Sequence, residues 1–135
     1  MGKSNQTQHS KVFYRPIEAA IRWSGLVRFE ARILNTLGDK IVLDVNDFPR
    51  WPMLKLNLER LYDAFRNGEL PYGKSGITCD DPTLLTQPDL TVRHVDLKAW
   101  MTHYYPDQKP EFLFEGIERH LHSAINLDNL QALLI

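Results

Sequence analysis

The feature that most narrows the possible folds is an amphipathic run bracketed by Pro52 and Gly68. Leu54, Leu58, Leu61, Tyr62 and Phe65 fall at i, i+4, i+7, i+8 and i+11, while Lys55, Glu59, Arg60, Asp63 and Arg66 face elsewhere. Pro52 suits a first helical turn, where its missing N–H costs nothing, and Asn67-Gly68 supplies a left-handed stop. Burying those five side chains contributes roughly 1.5–3 kcal/mol each, so this helix has to be one wall of a core.

Other segments are shorter or more ambiguous. Met1 to Val12 lacks apolar periodicity and reads as a disordered basic arm (1–12). Pro16 and Glu18 open a helical stretch carrying Ile17, Ala20, Ile21, Trp23, Val27, Ile33, Leu34 and Leu37, with Gly38 as its stop. Ser24-Gly25-Leu26 interrupts it. One long helix tolerating a glycine at about 1 kcal/mol is favoured over two short helices meeting at a turn. Lys40 to Val45 reads as a short strand or a helical turn. Leu70 to Leu90, with three Pro, two Gly and Asp80-Asp81-Pro82, reads as a long loop or irregular β-excursion.

Thr91 to His94 has strand composition. Asp96 offers an N-cap for a helix with Leu97, Trp100, Met101 and Tyr104 on one face, closed by Pro106. Phe112-Leu113-Phe114 reads as buried, and a helix is expected from Glu115 to Ser123. The expected fold is mainly α, a compact helical domain over 13–123 with a small β-hairpin or wing of at most three strands. Residues 124–135 read as the start of a C-terminal helix, which the chain leaves unfinished or uses for dimerisation. Its Leu127, Leu130, Leu133 and Leu134 would form the interaction surface.

Charge sets the limits on partners. Sixteen Lys and Arg against seventeen Asp and Glu give a net −1, which excludes a strong overall pull toward nucleic acid or anionic lipid. Residues 1–32 nevertheless hold six basic and two acidic side chains, whereas 111–135 hold four acids and one base. No run of about 18 apolar residues exists, so no membrane span is expected. The single cysteine, Cys79, fits a reducing cytoplasm.

Catalytic patterns are missing. Gly73-Lys74-Ser75-Gly76 lacks the spacing of a phosphate loop, and neither Gly-x-Ser-x-Gly nor His-Glu-x-x-His occurs. His120 and His122 point about 200° apart on a helix and cannot share a metal. Asp80 and Asp81 read as turn formers. The aromatic set Trp51, Tyr62, Phe65, Tyr72, Trp100, Tyr104 and Tyr105 sits mostly at core spacing rather than in a base-stacking pattern. No enzymatic activity, cofactor or metal is expected.

Arg66-Asn67-Gly68-Glu69-Leu70-Pro71-Tyr72 resembles the end of the recognition helix and the Gly-x-Leu-Pro step of excisionase and MerR-like winged helix-turn-helix proteins. Thr91 to Met101 is similar to the wing strand and Asp-Leu-x-x-Trp helix that follow there, and Ile17-Glu18-Ala19-Ala20 with Gly25-Leu26 to the first helix and turn. The interval from Ala20 to Gly68 is far longer than that family uses. Asp96 to Met101, Tyr104 to Pro110 and Phe112 to Phe114 also resemble uncharacterised proteins of proteobacterial genomic islands and plasmids.

The first resemblance implies duplex DNA binding by a groove-facing helix bearing Lys55 and Arg60, with Arg66, Lys74, Arg93 and His94 around a wing. A DNA-associated regulatory or accessory protein of a bacterial mobile element is therefore one expectation, and a protein-interaction or assembly module is the other. The first requires those cations to gather into a coherent positive face.

Overall fold

The structure is a computed structural model, and it describes residues 11–44 and 46–120. About half of these are helical, and a four-stranded antiparallel sheet makes the fold α+β. In chain order the elements are β1 (Phe13–Tyr14), α1 (Pro16–Trp23), a 3-10 turn (Val27–Phe29), α2 (Glu30–Leu37), α3 (Pro52–Arg66), β2 (Gly73–Lys74) and β3 (Ile77–Thr78). A second 3-10 turn (Pro82–Thr86), β4 (Leu90–Arg93), α4 (His94–Tyr104) and α5 (Gly116–His120) complete the order.

The sequence expectation of one long helix over the first third is corrected. Gly25 takes φ +75°, its N–H bonds Arg22 O, and the Leu26 N–H bonds Ile21 O, which is the paired Schellman closure of a helix end. Beyond the break, α2 ends where expected, at Gly38. The same double closure ends α3 at Gly68 (φ +73°), with Gly68 N bonding Phe65 O and Glu69 N bonding Ala64 O. Lys40 to Asp44 forms neither strand nor helix.

All five periodic side chains of α3 are buried. They meet Ile17, Ala20 and Ile21 of α1, which packs chiefly on α3, and Leu97, Trp100 and Met101 of α4 also enter this core. A buried polar tie fixes α1 to α3: Asn57 donates to Ser24 Oγ at 3.0 Å, and Arg60 donates to Asn57 Oδ1 at 2.9 Å. Phe112, Leu113 and Phe114 are buried as expected, Phe112 standing edge-on to Tyr14 at 5.3 Å.

The sheet order is β1-β4-β2-β3, one strand more than expected. β4 lies between β1 (Tyr14 opposite Val92) and β2 (Lys74 opposite Leu90). Ser75 (φ +54°) and Gly76 (φ +80°) are the two turn residues of the β2–β3 hairpin. Positive φ at both is the type I′ geometry that matches strand twist. Lys11 and Val12, placed in the arm by their composition, are held: Val12 O accepts the His94 N–H, and Lys11 bonds Glu18. α4 starts two residues before Asp96, which instead lies in the first turn and accepts from the Arg93 guanidinium. The leucine stripe Leu127, Leu130, Leu133 and Leu134 lies outside the described residues.

Candidate nucleic-acid interface

Four of the six expected DNA contacts are matched with carboxylates. Lys55 bonds Glu59 and Arg66 bonds Asp63 along α3, Lys74 on the hairpin lies 3.3 Å from Asp89, and Arg93 is held in two bonds by Asp96. Exposed pairs of this kind are weak, yet each still cancels a positive charge where phosphate would sit. Lys55 and Arg66 line a groove of about 480 Å³ beside α3 together with Glu59 and Asp63, so its rim carries both signs. The Arg60 guanidinium stands over two aromatic rings, 5.6 Å from Trp23 and 5.2 Å from Tyr105.

His94 is not a cationic contact. Its Nδ1 is 2.9 Å from the Tyr14 hydroxyl, and burial, with Lys98 one helical turn away, holds its imidazole below the ordinary histidine value. Burial raises the Tyr14 phenol above its ordinary value, so a neutral hydroxyl and a neutral ring share this hydrogen bond. The hairpin's surroundings lean acidic: Glu69 follows the α3 stop, Asp80 Oδ1 accepts from Tyr72 N, and Asp81 caps the second 3-10 turn through Thr83. Asp80 and Asp81 thus act as turn formers, as expected from their sequence setting. Among the described residues, no three His, Cys, Asp or Glu side chains gather as a metal site.

The opposite end of α3, about 22 Å from its stop given 15 residues at 1.5 Å each, meets a segment that carries other cations. Trp51 caps the start of this helix. Its ring lies 5.0 Å from Phe29 and 6.0 Å from Phe48, and all three rings are half-buried against the core. Arg28 has its guanidinium 5.0 Å from the Phe29 ring of this cluster, and Arg50 is the exposed chain neighbour of Trp51. Arg32 follows four positions after Arg28. No carboxylate among the described residues pairs with these three arginines, while nearby Glu30 is taken by Arg22, and Asp44 and Asp47 by Lys40.

Sequence reasoning placed Trp51 among core aromatics and passed over Arg50, Phe29 and Phe48. The signal available was Phe48-Pro49-Arg50-Trp51-Pro52, where aromatic and basic side chains alternate between two ring-locked prolines. The structure also accounts for most of the expected aromatic set as core: Tyr62, Phe65, Tyr72 and Trp100 are buried, Tyr105 is half-buried and Tyr104 is exposed. No family model, curated protein or solved structure matches this chain.

Proposed function

We propose that the protein is a DNA-associated regulatory or accessory module that binds through the Arg28, Arg32 and Arg50 end of α3, rather than through the hairpin. The observation that carries this reading is the contrast in pairing. Lys55, Arg66, Lys74 and Arg93 are matched with carboxylates, whereas Arg28, whose guanidinium stands over the Phe29 ring of the aromatic cluster, and the exposed Arg32 and Arg50 pair with no carboxylate among the described residues. The order of helix, helix, hairpin and strand is compatible with a winged-helix arrangement in which residues 27–51 replace a short turn. In such units the start of the second helix approaches the groove, which is where Arg50 and Trp51 lie.

Phosphate neutralisation makes affinity fall with salt, by a log–log slope of about 0.9 per contact on duplex. Fluorescence anisotropy of a labelled random duplex at low salt tests this. The intact chain is expected to bind, and the combined change Arg28→Ala, Arg32→Ala and Arg50→Ala to flatten the salt slope by roughly 2–3. The combined change Lys74→Ala and Arg93→Ala is expected to leave affinity within about twofold, since both cations already pair with acids. Absence of binding at tens of micromolar protein refutes the function. Loss of binding confined to the Lys74 and Arg93 variant refutes the placement.

A further inference from the structure

We infer that the Phe29, Phe48 and Trp51 cluster with its three arginines is a site for unpaired bases, so that single-stranded nucleic acid is a preferred ligand. This rests on the nucleic-acid reading above and names the substrate class for that surface. The argument begins with what a duplex withholds. Its bases are stacked on one another, and their faces are closed to a protein ring, whereas a single strand presents those faces along with its phosphates.

The rings are held ready. Phe48 has φ +49°, a region bulky L residues rarely occupy, and the Trp51 N–H bonds back to Phe48 O at 2.9 Å, keeping the two rings nearly parallel at 24°. The Phe29 ring, 5.0 Å from Trp51, is tilted against it by 35°. Pro49 and Pro52 fix the backbone to either side of Arg50-Trp51. Upstream, Asp47 accepts the Asp44 N–H at 2.8 Å and also binds Lys40, so the loop leading to Phe48 is tied down. Half-buried aromatic rings fixed in this way, with the Arg28 guanidinium over one of them and the exposed Arg32 and Arg50 close by in the chain, provide the two things a single strand needs. Rings receive bases and arginines receive phosphates.

Surfaces rich in aromatic and arginine side chains also anchor protein contacts. What favours nucleic acid is that Arg28, Arg32 and Arg50 pair with no carboxylate among the described residues, the neighbouring Glu30 being held by Arg22 and Asp44 and Asp47 by Lys40. Asp39, the remaining acid of this segment, follows Gly38 at the far end of α2.

The three tryptophans supply the readout. Trp23 and Trp100 are 8% and 4% exposed, and Trp51 is the half-buried one, so quenching of tryptophan emission reports stacking at this site. The full chain is titrated at low salt with a labelled oligothymidylate and with a random-sequence duplex of equal length, following anisotropy and tryptophan emission. Expected are quenching by the single strand and tighter binding of it than of duplex. Trp51→Leu should weaken single-strand binding by roughly 5-fold or more, the low end for one stacked base, and remove the quenching.

Single strand and duplex bound alike, with no quenching, overturn the base-stacking site and leave duplex binding intact. No binding of either overturns both readings and leaves the cluster as a protein contact. Quenching in the intact chain decides the question even if Trp51→Leu fails to fold.

Discussion

Replacing Gly73 with alanine tests the account of the hairpin at a single atom. Gly73 lies in β2 opposite Thr78 on one side and Thr91 on the other, and a Cβ added there would lie 1.8 Å from Ile77 O and 2.8 Å from Thr78 Cα. Ordinary contact begins near 3.4 Å, so β3 has to retreat by roughly 1.5 Å, which takes its ladder bonds beyond hydrogen-bonding reach. Each lost bond costs about 0.5–1.5 kcal/mol, and the hairpin has only two registered pairs, so the expected loss is about 1–3 kcal/mol. Gly68→Ala is the control. Nothing lies within 4 Å of its added carbon, and its cost, about 1 kcal/mol, comes from the positive φ alone. Urea unfolding of both variants, extrapolated to water, measures the difference. A Gly73→Ala loss no greater than that of Gly68→Ala refutes the close approach of β2 and β3.

Two further outcomes are expected. Glu30→Ala removes both charge-assisted bonds, each 2.9 Å, from the buried Arg22 guanidinium and should cost about 2–3 kcal/mol in the same assay. Joint replacement by Arg22→Met and Glu30→Leu should recover much of it, and a neutral Glu30→Ala denies the pair its structural role. Because the folded His94 value lies below its unfolded 6.5, the unfolded chain binds more protons between the two. His94's contribution is therefore complete above about pH 7 and is lost as pH falls through the folded value. His94→Asn keeps a hydrogen-bonding side chain beside Tyr14 without titrating, and it should flatten the urea midpoint between about pH 7.5 and 5.5. An unchanged profile removes His94 as the cause.

How far the sequence could be read depended on how local each determinant was. α3 was legible because periodicity and both of its stops lie within seventeen residues of one another. The break after α1 was not. Arg28 to Leu37 keeps helical composition, while part of what fixes the end is the bond from Ser24 to Asn57, thirty-three positions away. The strands of the hairpin are two residues each, too short to show alternation, so only the turn residues Ser75-Gly76 marked it. Neutralisation of the expected contacts was partly legible. Lys55 and Glu59, Asp63 and Arg66, and Arg93 and Asp96 stand three or four apart, spacing that brings side chains together on a helix, whereas Arg28 and Arg32 have no acid at that spacing. Lys74 and Asp89 meet only because the hairpin folds back on β4.

The pairing of β1 with β4 has a consequence for how the chain is made. Tyr14 and His94 are bonded across eighty positions, and β4, the central strand that pairs with β1, is the last of the four to be synthesised. During translation β1 waits without a neighbour, and the Tyr14 ring lacks Phe112 until later still. Closing so long a loop adds an entropic cost that local helical contacts do not carry, so the helices can form early while the sheet completes only near the end of synthesis. A ribosome-stalled chain ending before Leu90 would therefore hold α3 and its partner helix with the first strand still unzipped.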